Sequence, residues 1–340
     1  MRIRIGLGER WAIVAAICYT LVNVTLRAAA PHIDPFLGSM LRQLPVALLA
    51  WGVVIATGRR EFAPRSPAFL GWRFIAALLA GGFMSFFIGN VFFFGALANG
   101  GLGITVNAVQ AGSVFAGIAL AVLVLHERPR REQLAGAAII GIGLAFVAIA
   151  QLGTPSSLWY VGLILAALAG SCYAISNVMT RLVQRTRPIL FVTLAGTSLG
   201  GFGSLFIAVM WRAGWDPAVA FGSLDTATLA AVLLAGVANA LALIGLTQAM
   251  KYTDVATTNT VSSSQIVFSF LASVLFFHET GTLPMVLGVL FVVAGIIVAQ
   301  MNRSRRRAAE AARAATPGVA PDGAPVAEPE RDMESTSPTR

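Results

Sequence analysis

Apolar residues come in ten long runs along this chain, each cut off by a short polar or Gly- and Pro-containing stretch. The runs cover about 11–29, 36–57, 72–98, 103–125, 133–152, 158–180, 188–211, 226–250, 255–277 and 283–301. Each is near the roughly 20 residues that a helix needs to cross a bilayer core of about 30 Å. In lipid a spanning segment must satisfy its own backbone, so such runs read as helices. The third run is long enough to tilt. Pro31, Asp34 and Pro35 mark a turn after the first run, 58–67 is a basic loop, and 99–102 is a glycine-rich turn. The expected fold is all-α and integral to a membrane, with ten transmembrane helices. Beyond 301 hydrophobic periodicity stops, and 302–340 reads as a disordered cytoplasmic tail.

The runs are not independent. Cys18, Tyr19, Asn23, Val24 and Arg27 recur in the same spacing as Cys172, Tyr173, Asn177, Val178 and Arg181, an offset of 154. A second set recurs at an offset of 152. Here Thr105, Asn107, Val109, Leu123, His126, Glu127, Gly136 and Gly143 become Thr257, Asn259, Val261, Leu275, His278, Glu279, Gly288 and Gly295. One five-helix unit is therefore used twice, as 1–152 and 153–301, with a joint at 153–157. Five is odd, so the second unit enters the membrane from the opposite side. Two inverted five-helix repeats related by an in-plane two-fold are a transporter architecture, with the site near the midplane between them.

Composition agrees with the pattern. The chain is 57% hydrophobic and 11% charged, against about 25% charged in soluble domains. The net charge of +9 comes almost wholly from arginine, Lys251 being the only lysine. With a cytoplasmic N-terminus and one crossing per run, the basic clusters at 2–10, 59–73, 128–131, 181–187, 251 and 303–307 all face the cytoplasm. Arg27, Arg42 and Arg212 are the exceptions. The charge thus reads as a topology signal and not as a nucleic-acid footprint, and it sets both termini in the cytoplasm of a multi-pass inner-membrane protein. Two cysteines at equivalent repeat positions read as small core residues, not as a disulfide.

Polar side chains inside the runs carry the candidate chemistry, because they are costly in lipid and turn toward a bundle interior or a wet cavity. Tyr19, Asn23 and Arg27 share one helix face, as do Tyr173, Asn177 and Arg181. These stripes either line a cavity or bond across helices as packing contacts. Arg27 and Arg181, at the ends of their runs, are expected to snorkel to headgroups. The ninth run adds Asn259, Ser262 and Gln265. The fourth adds Asn107 with the weaker set Gln110 and Ser113. Asn90 and Asn239 occupy roughly matching positions in the third and eighth runs. Arg42, nearly two turns inside the second run beside Gln43 and Pro45, needs an anion, carbonyls or water. It serves either an anionic substrate group or helix packing.

No Asp or Glu lies mid-run, so an intramembrane carboxylate relay is absent. That favours facilitated exchange, another coupling route, or a neutral or zwitterionic cargo. His126–Glu127 and His278–Glu279 read as interfacial anchors. No Walker A loop, Cys/His metal spacing or nucleophile elbow is present. The expectation is a protein without catalytic residues, metal or cofactor.

The end of each half resembles the EamA repeat of the drug/metabolite transporter superfamily. That repeat has an apolar helix ending in Glu, a short loop, then two glycines seven residues apart. Here these are Glu127, Gly136 and Gly143, and again Glu279, Gly288 and Gly295. Arg42 matches an arginine that the family often carries in its second helix. The resemblance covers about 10–301 and implies ten helices, inverted repeats and movement of small metabolites through a central cavity. The chain departs from the family in lacking a proline near the middle of the fourth and ninth runs, and the seventh run has no counterpart of Arg42. The expected function is transport of a small amino-acid-like, nucleoside-like or drug-like metabolite by alternating access. Its partners are that small molecule and the bilayer, and whether it works as a homodimer is left open. A translocator of a lipid-linked carrier is the alternative, and a membrane-embedded enzyme a more distant one.

Overall fold

The computed structural model describes residues 6–123, 131–150, 158–186, 190–222, 224–252, 261, 263–279 and 281–314. The side chains of 121, 181, 182, 184–186, 247, 250, 251 and 300–314 are outside that set. Among the described residues every regular element is helical. In order they are α1 (Leu7–Ala29), α2 (Pro35–Ala56), α3 (Trp72–Gly82), a π-helical stretch (Phe83–Gly89) and α4 (Asn90–Leu123). There follow α5 (Arg131–Ile149), α6 (Trp159–Thr186), α7 (Leu190–Arg212), the short α8 (Pro217–Phe221) and α9 (Thr226–Tyr252). The last two are α10 (Ser264–Phe277) and α11 (Leu283–Ala314).

The caps are legible in the residues. Asp34 accepts from the Phe36 and Leu37 N–H groups at 3.0 and 3.3 Å, with Pro35 at the first helical position of α2. Asp225 starts α9 in the same way. Hydrogen bonds from the Thr228 hydroxyl and backbone N–H hold its carboxyl below the ordinary carboxylate range.

Among the described residues seven helical stretches are long and apolar enough to cross a membrane, and one of them runs 49 residues, from Trp72 to Leu120. That stretch is two arms, not one rod. Gly101 has φ 75° and ψ 177°, backbone that side-chain-bearing residues avoid. Ala96 and Ala108, on either side of it, pack into one cluster with Ala166 of α6. A continuous helix would hold them about 18 Å apart, so the chain doubles back at Gly101. The expected turn at 99–102 is thus concentrated at one residue. The helices at Ser264–Phe277 and Leu283–Ala299 are apolar but shorter. Large apolar side chains such as Leu48, Ile55, Ile164 and Ile207 point outward, a surface suited to lipid and not to water.

Helices approach closely where side chains are small. A Cβ on Gly112 would strike the Ala167 backbone, and one on Gly170 the Val109 carbonyl, which locks α6 onto α4. Gly196 and Gly200 of α7 lie against Leu78 and Leu79 of α3 in the same way. Between the halves, Gly136 of α5 meets Gly295 of α11 while Gly143 meets Gly288. The two helices therefore run antiparallel through glycines that match in the repeat.

Three features differ from expectation. The π-helical stretch and α8 have no periodic signature in the sequence. The tail is not wholly irregular, since α11 continues to Ala314. Residues 303–314 are mostly Ala and Arg with Glu310, all strong helix formers, and the loss of apolar period concealed that propensity. Residues 315–340, the joint at 153–157 and the pair His126–Glu127 lie outside the described residues.

Candidate functional site

A cavity of about 410 Å³ lies between α1, α2, α4, α6, α9, α10 and α11. Tyr19 and Asn23 of α1, Arg42 of α2, Tyr173 and Asn177 of α6 and Gln265 of α10 all face it. The two polar stripes that repeat in the sequence thus converge on one space. Gln110 and Ser113 line it too, although Asn107 on the same helix does not. Asn107 is buried and donates to the Gly103 carbonyl at 2.7 Å. Asn239 is buried on α9 away from the cavity wall. Asn259 and Ser262 lie outside the described residues.

Arg42 reaches its place through the backbone of α2. Pro45 has no N–H to give and deprives the helix of one internal hydrogen bond. Gly236 of α9 lies against the Arg42 carbonyl and the Pro45 ring, where a Cβ would come within 2.6 and 2.8 Å. Arg42 is 9% exposed. Its Nη1 donates to Asn90 Oδ1 at 3.3 Å, and its guanidinium stands 5.5 Å from the centre of the Phe93 ring. Its Nε has no hydrogen-bond partner.

Asn90 is the hub behind the wall. Its Oδ1 also accepts from the Tyr173 hydroxyl at 2.8 Å. Gly89 makes room for that, because a Cβ there would come 2.7 Å from the Tyr173 ring. The π-helical stretch ends at this glycine, and such stretches recur at functional sites. The buried Asn90 Nδ2 has no partner. Asn23 is partly committed, its Nδ2 donating to Ser269 Oγ of α10 at 3.1 Å.

A second polar cluster joins the halves near the Gly101 bend. His278 adopts left-handed backbone at the end of α10, with φ 51°, and turns Glu279 back toward α4. The Glu279 carboxylate accepts from the Leu102 and Gly103 N–H groups at 2.8 and 3.0 Å and from Arg27 Nε at 3.1 Å. Arg27 Nη1 in turn donates to the Leu97 carbonyl at 2.7 Å. The reason is local. The break at Gly101 leaves the first N–H groups of the next arm without helical acceptors, and a carboxylate satisfies them at the positive end of the helix dipole. Arg27 was expected to snorkel to headgroups; it is instead paired inside this clasp. Of the pair His278–Glu279, expected to serve as an interfacial anchor, it is Glu279 that makes these contacts.

Phe93, Val106, Val109, Val114, Leu246 and Ile296 form the apolar part of the cavity wall. As apolar residues in apolar helices they carried no signal of this role in the sequence. Gln110 and Ser113 did carry one, as polar positions on one face. Among the described residues no three of His, Cys, Asp and Glu gather as metal ligands would.

The model of the EamA-like transporter family matches this chain twice, over residues 6–149 and 160–301. A solved crystal structure superposes with a TM-score of 0.59, covering 88% of this chain and 98% of its own, at 17% identity. At that identity the likeness is one of fold. A search of curated proteins finds no match.

Proposed function

The chain belongs to the EamA-like transporter family, and on that premise we propose that it carries a small metabolite across the inner membrane by alternating access. The observation that carries this reading is the central cavity, whose polar wall is drawn from both repeats. Tyr19 and Asn23 come from the first half, and Tyr173, Asn177 and Gln265 from the second. A site shared by two halves can be exposed to either side when one half rocks against the other. The Arg27–Glu279 clasp bridges the halves at one end of that path and acts as the gate contact of this conformation.

The arrangement proposed is ten spans in two inverted repeats. Two arms either side of Gly101, six further long helices and the two shorter apolar ones make up that number. Antiparallel packing of α5 on α11 through equivalent glycines supports inversion. The arginine distribution supports cytoplasmic termini. A reporter fused after Arg340 tests this, and activity of a periplasm-only reporter there overturns it.

The transport test begins with untargeted metabolite profiling of cells lacking and overproducing the protein. Metabolites that shift are then followed in proteoliposomes. Exchange that depends on the protein and is lost in folded Asn177→Ala is the expected result. Absence of protein-dependent flux for every shifted metabolite overturns the reading.

A further inference from the structure

We propose that the cavity selects small organic anions, specifically monocarboxylates with an apolar body, and that Arg42 receives the carboxylate. This rests on the transport reading and names its cargo class.

The argument is one of unmatched charge. A guanidinium stays protonated in a protein, and burying it is costly unless an anion faces it. The described arginines that pair with acids do so elsewhere, Arg27 with Glu279, Arg59 with Glu61 and Arg212 with Asp34. Arg42 has no carboxylate in ion-pair reach among the described residues. It has one amide oxygen at 3.3 Å, the neutral Tyr173 hydroxyl beside it and the face of Phe93. Those are partners for a fraction of its five donors. Arg42 lines the cavity with donors left over, and its buried Nε has no partner among the described residues either.

The remaining wall fits the same cargo. Among the described residues lining the cavity Arg42 is the one charged side chain and none is Asp or Glu. A cationic cargo would meet Arg42 with no compensating acid among them. A zwitterion would find a site for its carboxylate and only neutral hydroxyls and amides for its ammonium group. A monoanion neutralises the cavity. The apolar side chains of Val106, Val109, Leu246 and Ile296 receive its hydrocarbon part, and Tyr19 and Gln110 offer neutral hydrogen bonds. This reading takes up the anionic substrate group expected for Arg42 and departs from the neutral or zwitterionic cargo that was one alternative drawn from the lack of mid-run acids. The absence of mid-run acids bears on coupling, whereas Arg42, the one charged side chain among the described lining residues, bears on cargo charge.

The test uses the full-length protein and isosteric probes of different charge. Purified protein in detergent is heated with sodium phenylacetate or hexanoate, with phenylacetamide or hexanamide, and with phenethylammonium. The carboxylates should raise the unfolding midpoint with at least tenfold higher apparent affinity than the amides, and the ammonium compound should have no effect. Arg42→Gln should abolish the carboxylate response. Arg42→Lys should retain part of it, because charge survives while the planar fork is lost. Equal responses to amide and carboxylate, a stronger response to the ammonium probe, no response to either carboxylate, or an intact response in Arg42→Gln would each sink the proposal. The wild-type comparison needs no variant to fold. Flux of the same probes in proteoliposomes separates the two readings. Movement of amides but not carboxylates leaves transport standing and removes the anion; carboxylate binding without protein-dependent flux does the reverse.

Discussion

Arg27 and Arg42 are both withdrawn from solvent, but only Arg27 meets a carboxylate. Glu279 holds it at 3.1 Å while also taking two backbone N–H groups, and the Leu97 carbonyl takes a further guanidinium proton. Arg42 has a long hydrogen bond to an amide and a free Nε, and it borders a cavity. The first arrangement is closed upon itself and ties α1, α4 and α10 together. The second is incomplete within the protein. A satisfied charge holds structure, whereas an unsatisfied one beside a space is poised for a ligand.

Stability measurements can break that contrast. The largest effect belongs to Glu279→Ala, which strands Arg27 and two N–H groups. It should cost about 3 kcal/mol, read by equilibrium unfolding in detergent micelles. A double-mutant cycle with Arg27→Ala should recover much of this as coupling; simple additivity would mean that the clasp is not a unit. Next comes Gly101→Ala, at about 2 kcal/mol from backbone strain. Its Cβ would also come 2.5 Å from Glu279 Oε1, so its cost should fall when Glu279 is already Ala. Asn23→Ala, which removes the bond to Ser269, should cost about 1 kcal/mol. Arg42→Met should change stability by less than about 1 kcal/mol, because replacing an incompletely paired buried charge with an apolar side chain is close to neutral. A loss comparable to that of Glu279→Ala would make Arg42 a structural residue like Arg27.

The sequence disclosed what periodicity and repetition can encode. The helical runs, the doubled unit and the matching stripes of Tyr19 with Asn23 and Tyr173 with Asn177 were visible, because rare polar residues in apolar helices repeat at fixed offsets; whether those stripes line a cavity or pack between helices was not. The partner of Arg27 was not, since Glu279 lies 252 positions away and only tertiary packing brings the two together. Asn107 was set above Gln110, yet Gln110 is the one that lines the cavity, because a shift of less than one helical turn decides which faces it. Asn90 was visible as a polar position, but its place behind the wall depends on a π-helical stretch with no periodic mark. Helix propensity past Met301 was legible in composition and was masked by the end of the apolar run.

The glycine seam between α5 and α11 bears on ancestry. Gly136 meets Gly295 and Gly143 meets Gly288, while in the repeat Gly136 matches Gly288 and Gly143 matches Gly295. Each contact is the other with the halves exchanged, which is the self-complementary form of a homodimer interface. A five-helix ancestor with this surface would pair with a second copy of itself, and every mutation in it would appear twice. An arginine at the position of Arg42 would then place two like charges in the same assembly. Joining two copies in one chain would lift that constraint, and the second half indeed carries Leu194 and Gly196 at the corresponding offsets of 152 and 154, with no second arginine there.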